Sequence, residues 1–520
     1  MLHRRGHLRN RYPVHLLLPA LITSGLFAWA HSAIAQAPIV NIDVNTFDRV
    51  INNGHVIDPA SGLSDIRHIG IKDGRITAVS QSPLYAANSI DAKGLIVSPG
   101  FIDIHSHSPT PLGQQLSVLD GVTTQLDLEA GAYPVAAHGH LLEQNSLQHF
   151  GSSVGHFAIR WNVVEGVDQP YIFYGRRAAP MGGRAWTEPA TAEQIEAMRH
   201  ALEAGLASGG IGIGLLLDYM TEAVTAEELT MVFETAAKWH RPVTVHVRRG
   251  LPGDMRGLLE IIEVAERTGA STLICHITHS AMGSVGEWLA AIDAANSRGA
   301  QITTETLSWL AGGTSISADV FLRRDWRQIF DIDYTDVQWV ANGEWLTEAS
   351  FLRYQREQPQ GMVNHHYVKE EWLIEALQWP AMMISSDALP AMDLRVKTNP
   401  NIAGTFSQFI ARYVRELKVL TLEDAIARIT WLPARWLERS APSFLRKGRI
   451  QPNADADLVI FDPELIAPKA RYGEPYETSI GISYVLVSGH IVALDGRIVD
   501  AATPGVQITA GVASSAPTPQ

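Results

Sequence analysis

The sequence predicts an α/β protein, a (β/α)8 barrel joined to a small β domain that is built from both chain ends. First, the middle of the chain, about 99–442, alternates short apolar segments with helical ones through eight βα units. Second, most of the apolar segments end in His, Asp or Glu. Third, the ends, 36–98 and 443–505, carry short apolar segments with Asn-Gly or Asp-Gly turns, which are typical of hairpins. Neither end is long enough to form a good core alone, so we expect one shared β domain.

Eight segments are predicted to form the barrel strands: 100–105, 123–129, 154–160, 210–217, 243–248, 273–276, 302–306 and 382–387. The pattern between them predicts helices over 192–206, 226–239, 255–268 and 286–297. Catalytic groups of such barrels lie at the C-terminal ends of the strands. The candidate functional residues at these ends are His105, His107, Glu129, His156, His246, His276, Glu305 and Asp387.

The composition is that of an ordinary globular protein. The 520 residues are 46% hydrophobic and 18% charged, which argues against a disordered, collagen-like or coiled-coil chain. The net charge is −13 and no basic tract is present, so we expect no nucleic-acid partner. A single cysteine, Cys275, excludes an intrachain disulfide and a cysteine-rich zinc module.

The first 35 residues resemble a secretory signal. Four arginines without an acid precede an apolar run over 14–30, and Ala33 and Ala35 supply small residues at a cleavage site. We therefore expect an exported protein, periplasmic or secreted. The alternative is a retained membrane anchor, although the run is short for a span of about 20 residues. The arginine pair also loosely resembles a twin-arginine signal. No second apolar segment is long enough to span a membrane, so no stable span is expected after processing.

Two further segments stand apart. The insertion at about 310–375 is rich in aromatic residues and is predicted to be a lid over the barrel; the alternative is a packing or dimer-contact insertion, and a homo-oligomer is left open. The end of the chain, 506–520, is rich in Ala, Thr, Ser and Pro and is predicted to be disordered.

The strand-end residues predict a metal site. His105 and His107 are two residues apart on one strand, so both imidazoles point to the same side. Each histidine taken singly is more often structural, but their shared position at strand ends favours metal binding. The full candidate set holds four imidazoles and two carboxylates, enough for one or two divalent ions, most simply zinc. Its members are His105, His107, Glu129, His246, His276 and Asp387.

Several motifs carry a family resemblance. The segment 99–107 reads PGFIDIHSH, 210–219 reads GIGIGLLLDY, 246–248 reads HVR, and 404–406 reads GTF. With GVTT at 121–124, SD at 386–387 and the return over 447–459, the chain resembles the amidohydrolase superfamily, and within it the N-acyl-D-amino-acid deacylases, or D-aminoacylases. The resemblance implies a metal-dependent amide hydrolase acting on a small molecule. It also suggests Tyr219 as an aid to carbonyl polarisation or positioning, against the alternative of a packing tyrosine.

The chain departs from that family at the end of the second strand. It reads LDLE at 126–129, where the D-aminoacylases usually have Cys and dihydroorotase-like and hydantoinase-like relatives a carboxylated Lys. Glu129 offers an anionic, two-oxygen bridge like that carbamate, which favours the N-acyl-D-glutamate deacylases among the relatives. Asp127 faces the same way on the strand and is the competing candidate.

The expected cation for a substrate carboxylate is also missing. The arginine that precedes GTF in many D-aminoacylases is replaced here, where 399–403 reads NPNIA, and the lysine usual after the sixth-strand histidine is absent. Arg248, two residues after His246, is predicted to point to the same face and to bind the carboxylate. Arg395 is the second candidate, and Arg249 comes next. The alternative is that Arg248 pairs with an internal acid such as Glu305.

The predicted chemistry uses metal-bound water, whose lowered pKa provides hydroxide near pH 7. Asp387 is the candidate general base and acid for amide cleavage. His105, His107 and Asp387 are expected to hold one ion, His246 and His276 the other, with Glu129 between them. Competing enzymatic interpretations are a cyclic amidase, a dihydroorotase-like hydrolase or an unusual dipeptidase. A serine or cysteine nucleophile is disfavoured because none of the candidates Ser386, Ser108 and Cys275 lies in a Gly-x-Ser-x-Gly elbow. Outside enzymes, the alternative is an exported barrel that acts as a binding protein.

Overall fold

The computed structural model describes residues 46–142, 145–172, 183–499 and 502–511. The predicted leader, 1–35, and the last residues, 512–520, lie outside the described residues. Within the described part, no helix has the length and apolar character needed to cross a bilayer.

Eight parallel strands form the barrel, and each is hydrogen-bonded to its neighbours in chain order. The last strand is also joined to the first, because the backbone N–H of Asp387 donates to His105 O (2.7 Å) and that of His107 donates to Ala388 O (2.9 Å). The (β/α)8 prediction is confirmed. The strands are Phe101–Asp103, Val122–Ala132, His149–Gly155, Ile213–Leu216, Val243–His246, Thr272–Ile274, Ile302–Leu307 and Met383–Ser385.

Helices surround these strands, and their ends follow local capping signals. Thr191 and Thr225 accept hydrogen bonds from the backbone of the first turns of Ala192–Ala207 and Ala226–Lys238. The remaining α-helices are Pro111–Leu119, His156–Glu165, Arg184–Thr187, Arg256–Thr268, Ile277–Ala281, Val285–Ser297, Asp319–Leu322, Trp326–Phe330, Glu348–Glu357, Glu370–Ala376, Asn401–Gln408, Leu422–Ile429 and Trp431–Leu437. A π-helix, Phe409–Glu416, continues Asn401–Gln408.

The third barrel strand differs from the prediction. The strand ends at Gly155 and the helix His156–Glu165 follows, so the predicted strand 154–160 is wrong from residue 156 onward. A short apolar run does not distinguish a strand from a buried helix, and most of this helix is buried. His156 consequently begins a helix, and its Nε2 contacts Glu228 Oε1 at 2.8 Å rather than any of the predicted metal ligands.

A nine-stranded sheet unites the two ends of the described chain. Its central pairing is antiparallel, between Ile96–Pro99 and Leu458–Phe461, and Ile96–Pro99 also pairs in parallel with Arg49–Asp58. Apolar residues from both ends pack into one core, as expected for a shared β domain. The other strands are Leu63–Lys72, Arg75–Ser80, Ser89–Asp91, Ile482–Val487, His490–Leu494 and Arg497–Ile498.

The insertion forms a four-stranded antiparallel sheet with its own aromatic core. Its strands are Gly312–Ser315, Val337–Trp339, Glu344–Trp345 and Met362–His365.

The segment 502–511 lies along the barrel. Ile508 N donates to Phe150 O at 2.6 Å and Ala510 N donates to Gly209 O at 2.8 Å, so residues 506–511 differ from the predicted disordered tail. Ile508 is buried there, and burial of its apolar side chain favours an ordered position for this segment.

Candidate metal centre

The six predicted ligands converge at the C-terminal end of the barrel. Five of them are buried, whereas the side chain of Asp387 is 20% exposed to the adjoining cavity. The converging residues are His105, His107, Glu129, His246, His276 and Asp387.

A first group of donor atoms surrounds the two first-strand imidazoles. The Nε2 atoms of His105 and His107 lie 3.2 Å apart. Glu129 Oε2 is 3.3 Å from the first of these nitrogens and 3.4 Å from the second. Asp387 Oδ1 approaches the same two atoms at 3.4 and 3.3 Å. All four groups therefore contribute lone pairs to one small region.

A second group uses the other oxygen of the same glutamate. Glu129 Oε1 lies 2.9 Å from His246 Nδ1 and 3.1 Å from His276 Nε2, and these two nitrogens are 3.1 Å apart. The two oxygens of Glu129 thus face two different pairs of imidazoles. This is the arrangement that a carboxylate bridge between two ions requires.

The donor sets fit divalent ions. Two donors bound to one zinc-sized ion at roughly 2.0–2.1 Å and near-tetrahedral angles lie about 3.3 Å apart. The donor separations given above run from 2.9 to 3.4 Å. Imidazole and carboxylate are also ligand types that zinc and similar borderline ions take.

Two further carboxylates contact the far side of the first-strand imidazoles. Asp127 Oδ2 accepts from His107 Nδ1 at 2.9 Å, and Glu305 Oε1 accepts from His105 Nδ1 at 3.0 Å. Such contacts fix the ring tautomer, so that Nε2 carries the free lone pair. Asp127 is therefore behind the cluster rather than between the imidazole pairs. Glu305 is recognisable from sequence as a strand-end residue, but no sequence signal indicates its contact with His105.

Two glycines allow this packing around Glu129. A Cβ on Gly214, in the fourth strand, would lie 2.2 Å from Glu129 O. Gly131 has φ +65°, a conformation that glycine adopts without a steric penalty. The bend there brings the backbone N–H groups of Ala130 and Gly131 onto Asp127 Oδ1, at 2.9 and 3.3 Å. Asp127 therefore orients His107 from behind the cluster, whereas Glu129 lies between the two imidazole pairs.

The acids and imidazoles stabilise one another's charges. Burial opposes the charged form of His105, but the charges of Glu129 and Asp387 raise its pKa well above the usual value. Burial likewise opposes ionisation of the two acids, yet the charge of His105 holds the pKa of Glu129 well below its usual range and lowers the pKa of Asp387 to about 2. A proton on His105 therefore offsets the charge of these buried carboxylates when no ion is bound.

A cavity lies against the cluster, between the barrel and the insertion. Glu129 and Asp387 line it from the barrel, and Thr314 and Met362 line it from the insertion. Tyr219 is also part of its wall, with its Oη 3.2 Å from Thr314 Oγ1 and its ring 5.1 Å from that of His246. Burial raises the pKa of Tyr219, so the phenol remains a hydrogen-bond donor at neutral pH.

The prediction that Arg248 points toward the cluster is wrong. The fifth strand ends at His246, so the alternation of side chains does not continue to residue 248. Arg248 instead forms an ion pair with Glu260 and donates Nε to Thr221 O at 3.0 Å, and it does not line the cavity. Its predicted alternative partner, Glu305, is likewise not its ion-pair partner.

Arg395, the second candidate, also lies away from the cavity. Its side chain is 88% exposed and pairs with Asp393 two residues earlier in the chain. The third candidate, Arg249, does line the cavity, and its side chain is only 8% exposed. The nearest anion to its guanidinium is Asp218, at 3.4 Å.

Comparison with known proteins shows similarity to deacylases in both sequence and structure. The chain is 27% identical over 467 residues to an N-acyl-D-glutamate deacylase of Alcaligenes xylosoxydans xylosoxydans, covering 85% of this chain and 93% of that protein. It is 27% identical over 479 residues to a D-aminoacylase of the same organism, covering 86% and 94%. The crystal structure of an N-acyl-D-glutamate deacylase from Bordetella bronchiseptica, complexed with zinc and a phosphonate inhibitor, matches with a TM-score of 0.72 at 25% identity and covers 89% of this chain and 99% of that chain.

The family model described as the Amidohydrolase family matches residues 96–492. That range spans the whole barrel, the insertion and much of the C-terminal part of the shared sheet. It also contains every residue of the donor cluster. The chain belongs to the amidohydrolase family.

Proposed function

We propose that this chain is a metal-dependent deacylase that hydrolyses the amide bond of N-acyl-D-amino acids, with N-acyl-D-glutamate as the preferred class. The observation that carries the proposal is the position of Glu129, whose two oxygens face two separate imidazole pairs. The two deacylases described above support the substrate class, because the match covers more than nine-tenths of the length of each deacylase.

In this proposal the cluster holds zinc. His105, His107 and Asp387 would hold one ion, His246 and His276 the other, and Glu129 would lie between them. When bound, divalent ions polarise an amide carbonyl and lower the pKa of water, so that hydroxide is available near neutral pH.

The protein's own groups would manage the protons and the oxyanion. Asp387 is the most exposed member of the cluster and lines the cavity, so it can reach both water and substrate. It takes a proton from the attacking water and delivers it to the amide nitrogen as the C–N bond breaks. Tyr219 donates a hydrogen bond to the carbonyl oxygen as negative charge develops there. The products are a carboxylate and a free amine.

The test is activity profiling of the chain from residue 36, loaded with zinc and compared with the chelated protein. Matched N-acetyl-D- and N-acetyl-L-amino acids, cyclic imides and dipeptides are the substrates. We expect the highest kcat/KM for N-acetyl-D-glutamate and no turnover after chelation. Preference for a cyclic imide, an L-amino acid or a dipeptide would contradict the proposal. Absence of turnover, with retained affinity for one of these compounds, would favour a binding protein.

We further propose that residues 1–35 direct export and are removed. The proposal rests on the arginine-rich start, the apolar run and the small residues before Gln36. N-terminal sequencing of the protein from the exported fraction should begin at residue 36, and replacing Arg4 and Arg5 by Lys distinguishes the twin-arginine route from the general one. Light scattering of the same preparation reports whether a homo-oligomer forms.

A further inference from the structure

Two adjacent arginines, Arg248 and Arg249, follow the fifth barrel strand, and they differ in how many of their side-chain donors have partners. The donors of Arg248 are used within the protein, by Glu260 and by the carbonyl oxygens of Thr221 and Val224. Arg248 therefore holds the loop in place and has little capacity left for a ligand.

Arg249 is buried in the cavity wall with most of its donors unused. A guanidinium carries five N–H donors. Its only close anion among the described residues is Asp218, whose Oδ2 lies 3.4 Å from Nη1, beyond the usual hydrogen-bond range. The other oxygen of Asp218 already accepts from the backbone N–H of Arg249 at 2.8 Å. Within the described chain, Arg249 Nε is buried and has no hydrogen-bond partner.

The surroundings hold this guanidinium in position for a ligand. Its Cζ lies 5.8 Å from the centre of the Phe330 ring, which belongs to the insertion. His365 and Tyr367, also from the insertion, line the same cavity. Asp218 offsets the charge of Arg249 without a close hydrogen bond to it, so the guanidinium keeps donors for a second anion.

We propose that Arg249 binds a carboxylate of the substrate while the scissile amide lies at the donor cluster. This inference rests on the proposed function and replaces the role predicted for Arg248. Glu129, Asp387 and Arg249 line one cavity, so a single N-acyl amino acid can contact both ends. The carboxylate accepts hydrogen bonds from the guanidinium, and this contact fixes the position of the amide. The bound carboxylate is either the α-carboxylate or that of the side chain.

The test compares Arg249→Met with Arg248→Met on three substrates: N-acetyl-D-glutamate, its side-chain amide and its α-amide. For Arg249→Met we expect kcat/KM to fall about 10- to 100-fold on the diacid, mainly through KM. One amide analogue should show no such fall, because it already lacks the bound carboxylate; its identity tells which carboxylate Arg249 holds. Arg249→Lys should recover part of the loss. Arg248→Met should lower Tm and affect the three substrates equally.

A binding measurement separates this inference from the proposed function. Calorimetry of N-acetyl-D-glutamate with the metal-free protein should show binding that Arg249→Met weakens by the same factor, while the variant keeps the zinc content of the wild type. Equal losses on all three substrates, or equal binding by wild type and Arg249→Met, would overturn the role of Arg249 even if deacylation is observed. Carboxylate binding through Arg249 without turnover would instead support the inference and count against the proposed hydrolysis.

Discussion

Replacing Asp127 by Asn tests how the centre selects the ring nitrogen of His107 that faces an ion. Asp127 Oδ1 accepts from the backbone N–H groups of Ala130 and Gly131, and Oδ2 accepts from His107 Nδ1 at 2.9 Å. Both oxygens therefore face donors. Burial raises the pKa of Asp127, but the charge of His107 outweighs it and keeps the acid ionised.

An asparagine at this position cannot accept hydrogen bonds on both sides, because its amide group has one oxygen and one NH2. The backbone N–H groups cannot reverse their role, so the amide oxygen stays with them and the NH2 group faces His107. The imidazole then changes tautomer, Nδ1 becomes the acceptor, and the protonated Nε2 no longer offers a lone pair to the cluster. Loss of such an orienting carboxylate weakens metal affinity about 10- to 100-fold, or roughly 1.4–2.7 kcal/mol. We expect Asp127→Asn at the upper end of this range.

Glu305→Gln is the matched control. Glu305 Oε1 accepts from both His105 Nδ1 (3.0 Å) and His276 N (2.6 Å), and Oε2 accepts from Ser385 Oγ at 2.5 Å. A glutamine can keep its oxygen at the first position and donate its NH2 to the serine, whose hydroxyl can turn to accept. The tautomer of His105 is then preserved, and affinity should fall less than about 10-fold.

The assay is zinc competition against a chromophoric chelator at pH 7, with zinc content after dialysis as a second readout. Asp127→Asn should lose affinity for one equivalent of zinc, and Glu305→Gln should retain both equivalents near the affinity of the wild type. Equal affinities for the two variants would refute the tautomer argument, since both substitutions remove one charge at a similar place.

Three further predictions concern Asp387, the pH dependence of zinc binding and the packing of Ile508. Asp387→Asn should retain most of the zinc and lose about 10²- to 10⁴-fold in kcat, measured on N-acetyl-D-glutamate, because proton transfer is removed while five donors remain; loss of all zinc would contradict this. The metal-free folded protein raises the pKa of His105 and His107 well above 6.5, so their contribution to stability is full below about pH 6.5 and is lost as pH rises through the folded pKa. The zinc-induced rise in Tm should therefore be larger at pH 8.5 than at pH 6, and a pH-independent rise would exclude proton competition. Ile508→Ala should lower the free energy of unfolding by about 2–3 kcal/mol in urea, whereas Val506→Ala at an exposed site should change it little; equal effects would mean that 502–511 does not pack as described.

The parts of the centre that could be predicted from sequence are those fixed by one local rule. His105 and His107, two residues apart, are predicted to share a face, and the structure brings both to the cluster. They lie just beyond the first strand, where isolated bridges from His105 to Asp127 and from Ser106 to Ala388 continue the backbone pairing. The same rule could not separate Asp127 from Glu129, since both residues lie on that face. Their difference arises from the bend at Gly131, which turns backbone donors onto Asp127. At that bend Gly131 packs against Ser153 and Gly155 of the third strand, and LDLE itself carries no signal of this contact.

Errors appeared where a strand ended earlier than its apolar run. Strand alternation predicts that Arg248 faces the cluster, but the fifth strand ends at His246, and Arg249 rather than Arg248 lines the cavity. His156 is likewise predicted to lie in a strand, but it begins the helix that follows. Strand ends are set by which backbone groups find partners in the neighbouring strand, and this is a property of the assembled barrel.

The distribution of charge explains how an acidic protein could select an anionic substrate. Four carboxylates, two at the centre of the cluster and two behind the rings of His105 and His107, match the positive charge of two divalent ions. A fifth, Asp218, lies 3.7 Å from His246 Nε2. The charge of Asp218 is offset by Arg249, whose Nη1 lies 3.4 Å from Asp218 Oδ2. The chain carries a net charge of −13, but at physiological ionic strength exposed charges are screened beyond about 8 Å. Attraction of a substrate carboxylate must then come from buried donors close to it, which are screened far less. Selectivity for the acid over its amide should consequently change little with added salt, and a steep loss with salt would assign it to the surface rather than to Arg249.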